Sequence, residues 1–342
     1  MRRTSCFSDA AGFLLVSLAM CMTVLAEPLI LSPVSDVPTV TIAGGRFECE
    51  LTEQAPLTLV GDKLAYSLAV EWHQPANGGV RATCTVPDAA VPGAYALQAG
   101  SGESIQRSAR AVFVREEFPE EYRFAHLIGV AADGNGGRVL QRGLAIAAET
   151  GGQFVFITGE TGADGAKDGL QAQVKALEDY PLPTFLCSGQ DDGAYVFRFG
   201  RDAYLVFRCP QPDGIEALGP YPARLHMLRR EVKAARWAIG VTDRYRHSPI
   251  RMVPSLGLAV DLRSQITLFV DDPLDHLVAG GGDRLDQLTL SLQGDSGGDT
   301  AVPWGTAPVT VTPTMAGGAV RLFEVGRDGI KAGEVQPLSN GG

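Results

Sequence analysis

The stretch FAHLIGVAADGNGGRVLQRGLAIAAETGGQFVFITGE, residues 124–160, decides the predicted fold. Its first part, Phe124 to Ala131, is an apolar run that fits a buried strand. A glycine-rich loop follows at 134–137, and the apolar residues between Arg138 and Thr150 then recur at helical spacing. Phe154 to Ile157 is a second buried strand. This succession predicts an α/β unit in which the loops at the strand ends would form any functional site.

The alternation of strands and helices continues downstream. Residues 170–177 are predicted to be a helix, residues 184–187 a third buried strand and residues 194–207 a hairpin. An amphipathic helix at 223–236 and a strand at 237–241 follow. The predicted fold class of this region is therefore α/β (α+β).

Residues 28–116, upstream of this unit, are predicted to be β-structure. In Phe47–Leu51 apolar and acidic residues alternate with a period of two, which is typical of a strand with one solvated face. Further short strands are separated by turns rich in Pro, Gly and Asn, and this spacing favours an immunoglobulin- or fibronectin-like sandwich over 27–118. The acidic, proline-containing segment 116–121 marks the boundary with a second domain, 119–342.

The composition fits a folded chain of two domains. Its 342 residues exceed the roughly 100–200 residues of one domain, and 45% of them are apolar. The net charge is −10, with 39 acidic and 29 basic residues. This balance argues against a nucleic-acid partner, because binding to the phosphate backbone requires a basic face.

The amino terminus predicts export. Arg2 and Arg3 precede an apolar run from Gly12 to Leu25, and Ala26 completes an acceptable cleavage site, so residues 1–26 are predicted to be a signal peptide. The run is shorter than the roughly 20 apolar residues of a membrane span. We therefore expect a periplasmic or extracellular protein with no integral membrane segment after cleavage.

Four cysteines remain after residue 26, namely Cys49, Cys84, Cys187 and Cys209. An even number in an oxidising compartment suggests disulfides, and four cysteines allow three pairings. The spacing favours Cys49–Cys84 and Cys187–Cys209, one local pair in each predicted domain. Four buried thiols are the alternative.

Several short motifs resemble those of a known enzyme family in their order and spacing. They include RFAHLIG at 123–129, FVFITGETGADG at 154–165, LPTFLCSGQDD at 182–192 and QITLFVDDP at 265–273. The family is that of the calcineurin-like metallophosphoesterases, especially the secreted, purple-acid-phosphatase-like members with an amino-terminal β-sandwich. The resemblance implies a calcineurin-like phosphoesterase domain, which is a β-sandwich flanked by helices. The family's reaction uses two metal ions to bind the phosphate and activate a water molecule.

The sequence departs from this family at the positions that the resemblance assigns to the metal site. Gly129 and Ala131 stand where the first motif has Asp and His, and neither can bind a metal through its side chain. Later motifs also carry substitutions, at Glu160, Gln190, Asp191, Asp243 and Asp271. The resemblance therefore implies a degenerate metal site and a non-catalytic protein that binds or scaffolds an unknown ligand or envelope protein.

Four of these positions are carboxylates, which leaves other functions open. Glu160, Asp191, Asp243 and Asp271 would converge if the family alignment holds, and oxygen ligands without histidine suit Ca²⁺ or Mg²⁺. Acidic residues in solvated loops are the simpler interpretation. The alternative function is a phosphoester hydrolase with a reworked, carboxylate-rich metal site, and a third is an envelope adhesion protein.

Overall fold

The computed structural model describes residues 28–73, 79–102, 104–128, 136–158, 177, 180–186, 195–207, 235–242, 250–253, 258–261, 267–269, 287–292, 301–304, 307–313 and 318–338. Within these ranges the chain forms 23 strands, arranged in five sheets, and one helix. The predicted signal peptide, Cys187 and Cys209 lie outside them.

Two sheets built from residues 30–115 share one hydrophobic core. Sheet 1 has the order β1 (Ile30–Ser32), β3 (Arg46–Leu51), β7 (Val80–Thr85) and β6 (Ala69–His73). Sheet 2 has the order β2 (Thr39–Ile42), β9 (Gln106–Arg115), β8 (Gly93–Ala99), β4 (Leu57–Val60) and β5 (Ala65–Ser67). Leu51 of sheet 1 and Leu59 and Leu97 of sheet 2 are fully buried in this core. The alternating sequence explains the arrangement, since Phe47 and Leu51 are buried while Arg46 faces solvent.

Two larger sheets form a second sandwich. Sheet 3 has the order β12 (Thr184–Leu186), β11 (Gly152–Thr158), β10 (Tyr122–Ile128), β22 (Ala319–Val325) and β23 (Ile330–Pro337). Sheet 4 has the order β13 (Tyr195–Phe199), β14 (Asp202–Phe207), β15 (Ala238–Thr242), β19 (Gln287–Leu292), β21 (Ala307–Pro313) and β20 (Ala301–Trp304). Sheet 5 contains β16 (Ile250–Val253), β17 (Leu258–Asp261) and β18 (Thr267–Phe269).

The core between sheets 3 and 4 is largely aromatic. Phe124 and Phe154 of sheet 3 stack with their rings 5.5 Å apart, and Tyr204 of sheet 4 meets both edge-on at 5.3 and 5.1 Å. All three side chains are fully buried. Aromatic pairs at such distances add to the free energy gained from burial, and rigid rings hold the two sheets in one arrangement.

The helix covers the opposite face of sheet 3. Helix α1 (Gly136–Glu149) packs Leu140 and Leu144 against Leu127 and Val155. Gly143 lies at the closest point, where an added Cβ would stand 2.6 Å from Cδ2 of Leu127. The helical spacing at 138–150 therefore predicted this element correctly, and the glycine allows its close approach.

The predicted α/β class is wrong, because the described residues form a mainly β protein. The helices predicted to flank the sandwich at 170–177 and 223–236 lie almost entirely outside the described residues, so α1 is the flanking helix that the structure describes. Strands from the carboxyl-terminal third complete both larger sheets, and β22 joins β10 in antiparallel fashion. The local strand–helix–strand order favours an α/β unit, whereas the pairing of β22 with β10, from almost 200 residues away, leaves no local pattern.

Candidate functional site

Three parallel strands of sheet 3 end at one edge. In the pairing of β10 with β11, Ile128 lies beside Thr158, and in that of β11 with β12, Ile157 lies beside Leu186. The chain therefore leaves the sheet at nearly the same level from all three strands, as in other parallel sheets that place a site at their carboxyl ends. The predicted positions that follow them lie outside the described residues: Gly129, Ala131, Glu160, Gln190 and Asp191.

The parallel strands β14 and β15 of sheet 4 run in the same direction as β10 of sheet 3. The hydroxyl of Tyr122, the first residue of β10, donates to Oδ2 of Asp202, the first residue of β14, at 2.9 Å. Since β14 and β15 are parallel, β15 ends on the same side of the sandwich as β10. We call this side, where β10, β11, β12, β14 and β15 end, the carboxyl edge. Asp243 follows β15 in the sequence and lies outside the described residues.

Asp271 does not share this arrangement with the other predicted residues. It follows β18, which belongs to sheet 5 and pairs there with β17. Asp271 itself lies outside the described residues, and no described pairing joins β18 to sheet 3 or sheet 4.

A buried polar cluster lies just below the carboxyl edge. His126 of β10 is fully buried, and its Nε2 is 2.7 Å from Oγ1 of Thr158 on β11. Its Nδ1 is buried without a hydrogen-bond partner among the described groups. Burial, reinforced by the positive charge of Arg321, lowers the pKa of His126 to about 3. The imidazole is therefore neutral at physiological pH. The sequence suggested only a core histidine inside an apolar strand.

Arg321 brings a positive charge into the same cluster. It lies directly opposite His126 across the β10–β22 ladder, and only 5% of its surface is exposed. Its Nε donates to the carbonyl oxygen of Gly333 at 2.8 Å, and its guanidinium is 5.9 Å from the ring centre of Phe323. The cluster of His126, Thr158 and Arg321 was not predicted, because β22 pairs with β10 across almost 200 residues of sequence.

No three His, Cys, Asp or Glu side chains in the described ranges come together in a way that could hold a metal ion. The predicted carboxylate ligands lie outside those ranges, so the structure neither assembles nor separates them. The buried polar groups that the structure describes just below the carboxyl edge are a neutral imidazole, a hydroxyl and a guanidinium. Such groups interact with their partners through hydrogen bonds and, for the guanidinium, through its positive charge.

A second buried network stands at the opposite, amino edge of the sandwich. Asp202 is 1% exposed and accepts hydrogen bonds from Nε and Nη2 of Arg236 at 2.9 and 2.7 Å. It also accepts from the hydroxyl of Tyr122 and from the backbone N–H of Trp237. The Tyr204 hydroxyl lies 2.6 Å from that of Tyr122. This network ties β10, β14 and the start of β15 together, which indicates a structural role.

The two cysteines of sheet 1 are free, buried thiols, so the predicted bond between Cys49 and Cys84 is not formed in the structure. Cys49 lies opposite Ala82 and Cys84 opposite Phe47, which makes the two thiols diagonal neighbours. Diagonal Cα atoms on adjacent strands are about 7–8 Å apart, at or beyond the limit for a disulfide. A hydrogen bond to Cys84, together with burial, raises the pKa of Cys49.

A polar groove of about 540 Å³ opens at the amino edge of sheet 3. Its lining includes Arg123, Gln153, Glu324 and Lys331, and none of the residues predicted from the sequence. Arg123 and Glu324 form an exposed ion pair across the groove at 2.5 Å. The groove mixes both signs of charge, so it does not favour a ligand of one charge type. No helix in the described ranges is long and apolar enough to span a membrane.

Comparisons with known proteins return likenesses in structure alone. No protein-family model matches the chain, and no curated protein matches its sequence. A solved structure of purple acid phosphatase PPD1 from yellow lupin (Lupinus luteus) seeds is similar over 88% of this chain and 72% of that chain, with a TM-score of 0.45 and 10% identity.

Two further solved structures are matched with lower TM-scores. A Bacteroides fragilis protein described as an α-galactosidase/melibiase is matched over 60% of this chain and 43% of that chain, with a TM-score of 0.18 and 11% identity. A second protein of that organism, described as an α-galactosidase, is matched over 67% and 47%, with a TM-score of 0.16 and 12% identity. No activity is transferred from these likenesses.

Proposed function

We propose that this chain is an exported, non-catalytic binding protein with a phosphoesterase-like β-sandwich and a binding surface at the carboxyl edge. The parallel register of β10, β11 and β12 is the observation that carries the proposal. The three neighbouring strands end at one level, shortly before the substituted motif positions Gly129, Glu160 and Gln190. Gly129 and Ala131 follow β10, where the resemblance implies metal ligands, and neither side chain can supply one.

The buried cluster supports a non-catalytic role. Phosphoester hydrolysis in the family requires two divalent cations roughly 3.5–4 Å apart. Arg321 places a positive charge two residues below the end of the β10–β22 ladder, because it pairs with His126 while Ala319 pairs with Ile128. A buried guanidinium disfavours a pair of divalent cations nearby, since Coulomb repulsion is poorly screened in the protein interior. The same charge would favour an anionic or hydrogen-bonding ligand.

We predict that the purified protein will not hydrolyse p-nitrophenyl phosphate or bis(p-nitrophenyl) phosphate above the buffer rate, with Mg²⁺, Ca²⁺, Mn²⁺, Zn²⁺ or Fe³⁺ supplied. Release of p-nitrophenol measures this directly. Turnover that both Glu160→Ala and Asp191→Ala abolish, but Glu149→Ala retains, would contradict the prediction. It would instead support the alternative of a phosphoester hydrolase with a reworked metal site. Glu149 is a matched control because it is exposed at the end of α1.

A competing hypothesis is that Glu160, Asp191 and Asp243 bind one Ca²⁺ or Mg²⁺ ion despite the charge of Arg321, because each follows a strand that ends at the carboxyl edge. Calcium at 100 times its dissociation constant should then raise the melting temperature by about 5 °C. Glu160→Ala and Asp191→Ala should each remove the shift, and Glu149→Ala should not. An unchanged melting temperature at millimolar Ca²⁺ and Mg²⁺ would rule out the cation.

A further inference from the structure

An arginine in a strained conformation stands where the two sandwiches meet. Arg110 of β9 has a φ of 51°, in the left-handed region that residues other than glycine rarely occupy. The β8–β9 register shifts at this point, since Tyr95 pairs with Val112 but Leu97 pairs with Ser108. Extra residues of β9 therefore bulge out of the ladder. Such strain persists only where surrounding contacts stabilise it, so the contacts of this side chain indicate its role.

The guanidinium of Arg110 binds the chain segment that leads into β12. Its Nη2 donates to the carbonyl oxygens of Tyr180 and, at 3.0 Å, of Leu182. The guanidinium also lies 5.2 Å from the ring centre of Phe113. The hydroxyl of Tyr180 in turn donates to the carbonyl oxygen of Leu144 on α1, at 2.8 Å. Arg110 thus links sheet 2 to the segment 180–182, which leads into β12 and contacts α1 through Tyr180.

The amino-terminal sandwich also contacts sheet 3 directly, through the connection between β1 and β2 and through sheet 2. The backbone N–H of Leu186, the last residue of β12, donates to the carbonyl oxygen of Asp36 at 2.8 Å. Among the described strands, β12 lies at the edge of sheet 3 and pairs only with β11, so Asp36 takes part of the place of a neighbouring strand. Val40 of β2 and Phe113 of β9 are buried in the aromatic core that sheets 3 and 4 share.

We propose that Arg110 is a positioning residue through which the amino-terminal sandwich fixes β12, and with it the start of the segment that carries Gln190 and Asp191. The consequence for ligand binding rests on the proposed function, whereas the positioning of β12 does not. The amino-terminal sandwich is then an integral part of the carboxyl edge rather than a separate module.

Hydrogen–deuterium exchange of the full chain tests the proposal. Arg110→Gly removes the guanidinium and suits the positive φ, so it tests the contacts without adding strain. We expect amides of 182–186 to exchange about tenfold faster than in the unchanged protein, and amides of β3 and β7 to exchange at their original rates. Arg107→Ala is the matched control, because Arg107 lies on the same strand with an exposed side chain. It should leave both regions unchanged.

Arg110→Lys is the second variant. It should restore part of the protection at 182–186, since the lysine ammonium group can replace only some of the hydrogen bonds that the guanidinium donates. Unchanged exchange at 182–186 in Arg110→Gly would overturn the proposal. So would a uniform loss of protection across sheets 1 to 3 in both variants, which would mean a fold-wide role. Exchange measured without added metal tests the positioning alone. Weakened calcium binding in Arg110→Gly tests its consequence, so failure of the cation site leaves the exchange result intact.

Discussion

Replacing Asp202 by alanine should lower the free energy of unfolding by about 3–5 kcal/mol. Asp202 is 1% exposed, and its carboxylate accepts two hydrogen bonds from Arg236 and one each from Tyr122 and Trp237. Removing the carboxylate leaves a guanidinium whose side chain is only 18% exposed without its counter-ion. It also leaves the buried Tyr122 hydroxyl with one partner fewer. Unpaired buried charge is among the most destabilising results of a single substitution.

Urea denaturation of the full chain measures this effect. The matched control is Glu324→Ala, which removes the carboxylate of the Arg123–Glu324 pair, where both side chains are about half exposed (50% and 52%). Exposed ion pairs contribute 0–1 kcal/mol at most, so we expect little change there, about 0.5 kcal/mol. Asp202→Asn keeps the shape and should fall between the two. A loss below about 1 kcal/mol in Asp202→Ala would show that the network does not hold sheets 3 and 4 together.

The protein should lose about 3 kcal/mol of stability between pH 7 and pH 4 through His126 alone. The pKa of His126 is lowered to about 3 in the folded protein, mainly by burial and also by the charge of Arg321. In the unfolded chain the same histidine titrates near pH 6.5. As the pH falls below 6.5, the unfolded chain binds a proton that the folded protein does not bind. The unfolded state therefore gains stability, and the loss continues until the pH reaches the folded pKa.

The substitution His126→Gln isolates this contribution. Glutamine can still hydrogen bond to Thr158 but does not titrate, so the slope of unfolding free energy against pH should decrease between pH 6.5 and pH 4. His73→Gln makes the same change at an exposed histidine of β6 and is the control for the substitution itself. Carboxylates titrate over part of the same range, and they are common to all three proteins. Equal slopes in His126→Gln and the unchanged protein would show that His126 is accessible to protons.

Local patterns in the sequence predicted several elements near the candidate site correctly. The apolar runs at 124–131 and 154–157 correspond to β10 and β11, the helical spacing at 138–150 to α1, and the hairpin at 194–207 to β13 and β14. Each is a short-range pattern in which neighbouring residues share one face of a strand or helix. The fold class was wrong because β22, which pairs with β10, comes from almost 200 residues downstream.

The buried polar groups show the same division between what a local pattern predicts and what the pairing of distant strands decides. His126 and Asp202 are both buried, and both lie in elements that the sequence determines through local apolar patterns, the strand at 124–131 and the hairpin at 194–207. Only the tertiary structure decided their partners. Arg321 reaches His126, and Arg236 reaches Asp202, through pairing of distant strands, which no local pattern encodes. For the same reason no local pattern indicates that Arg110, three strands before β12, binds the segment leading into that strand.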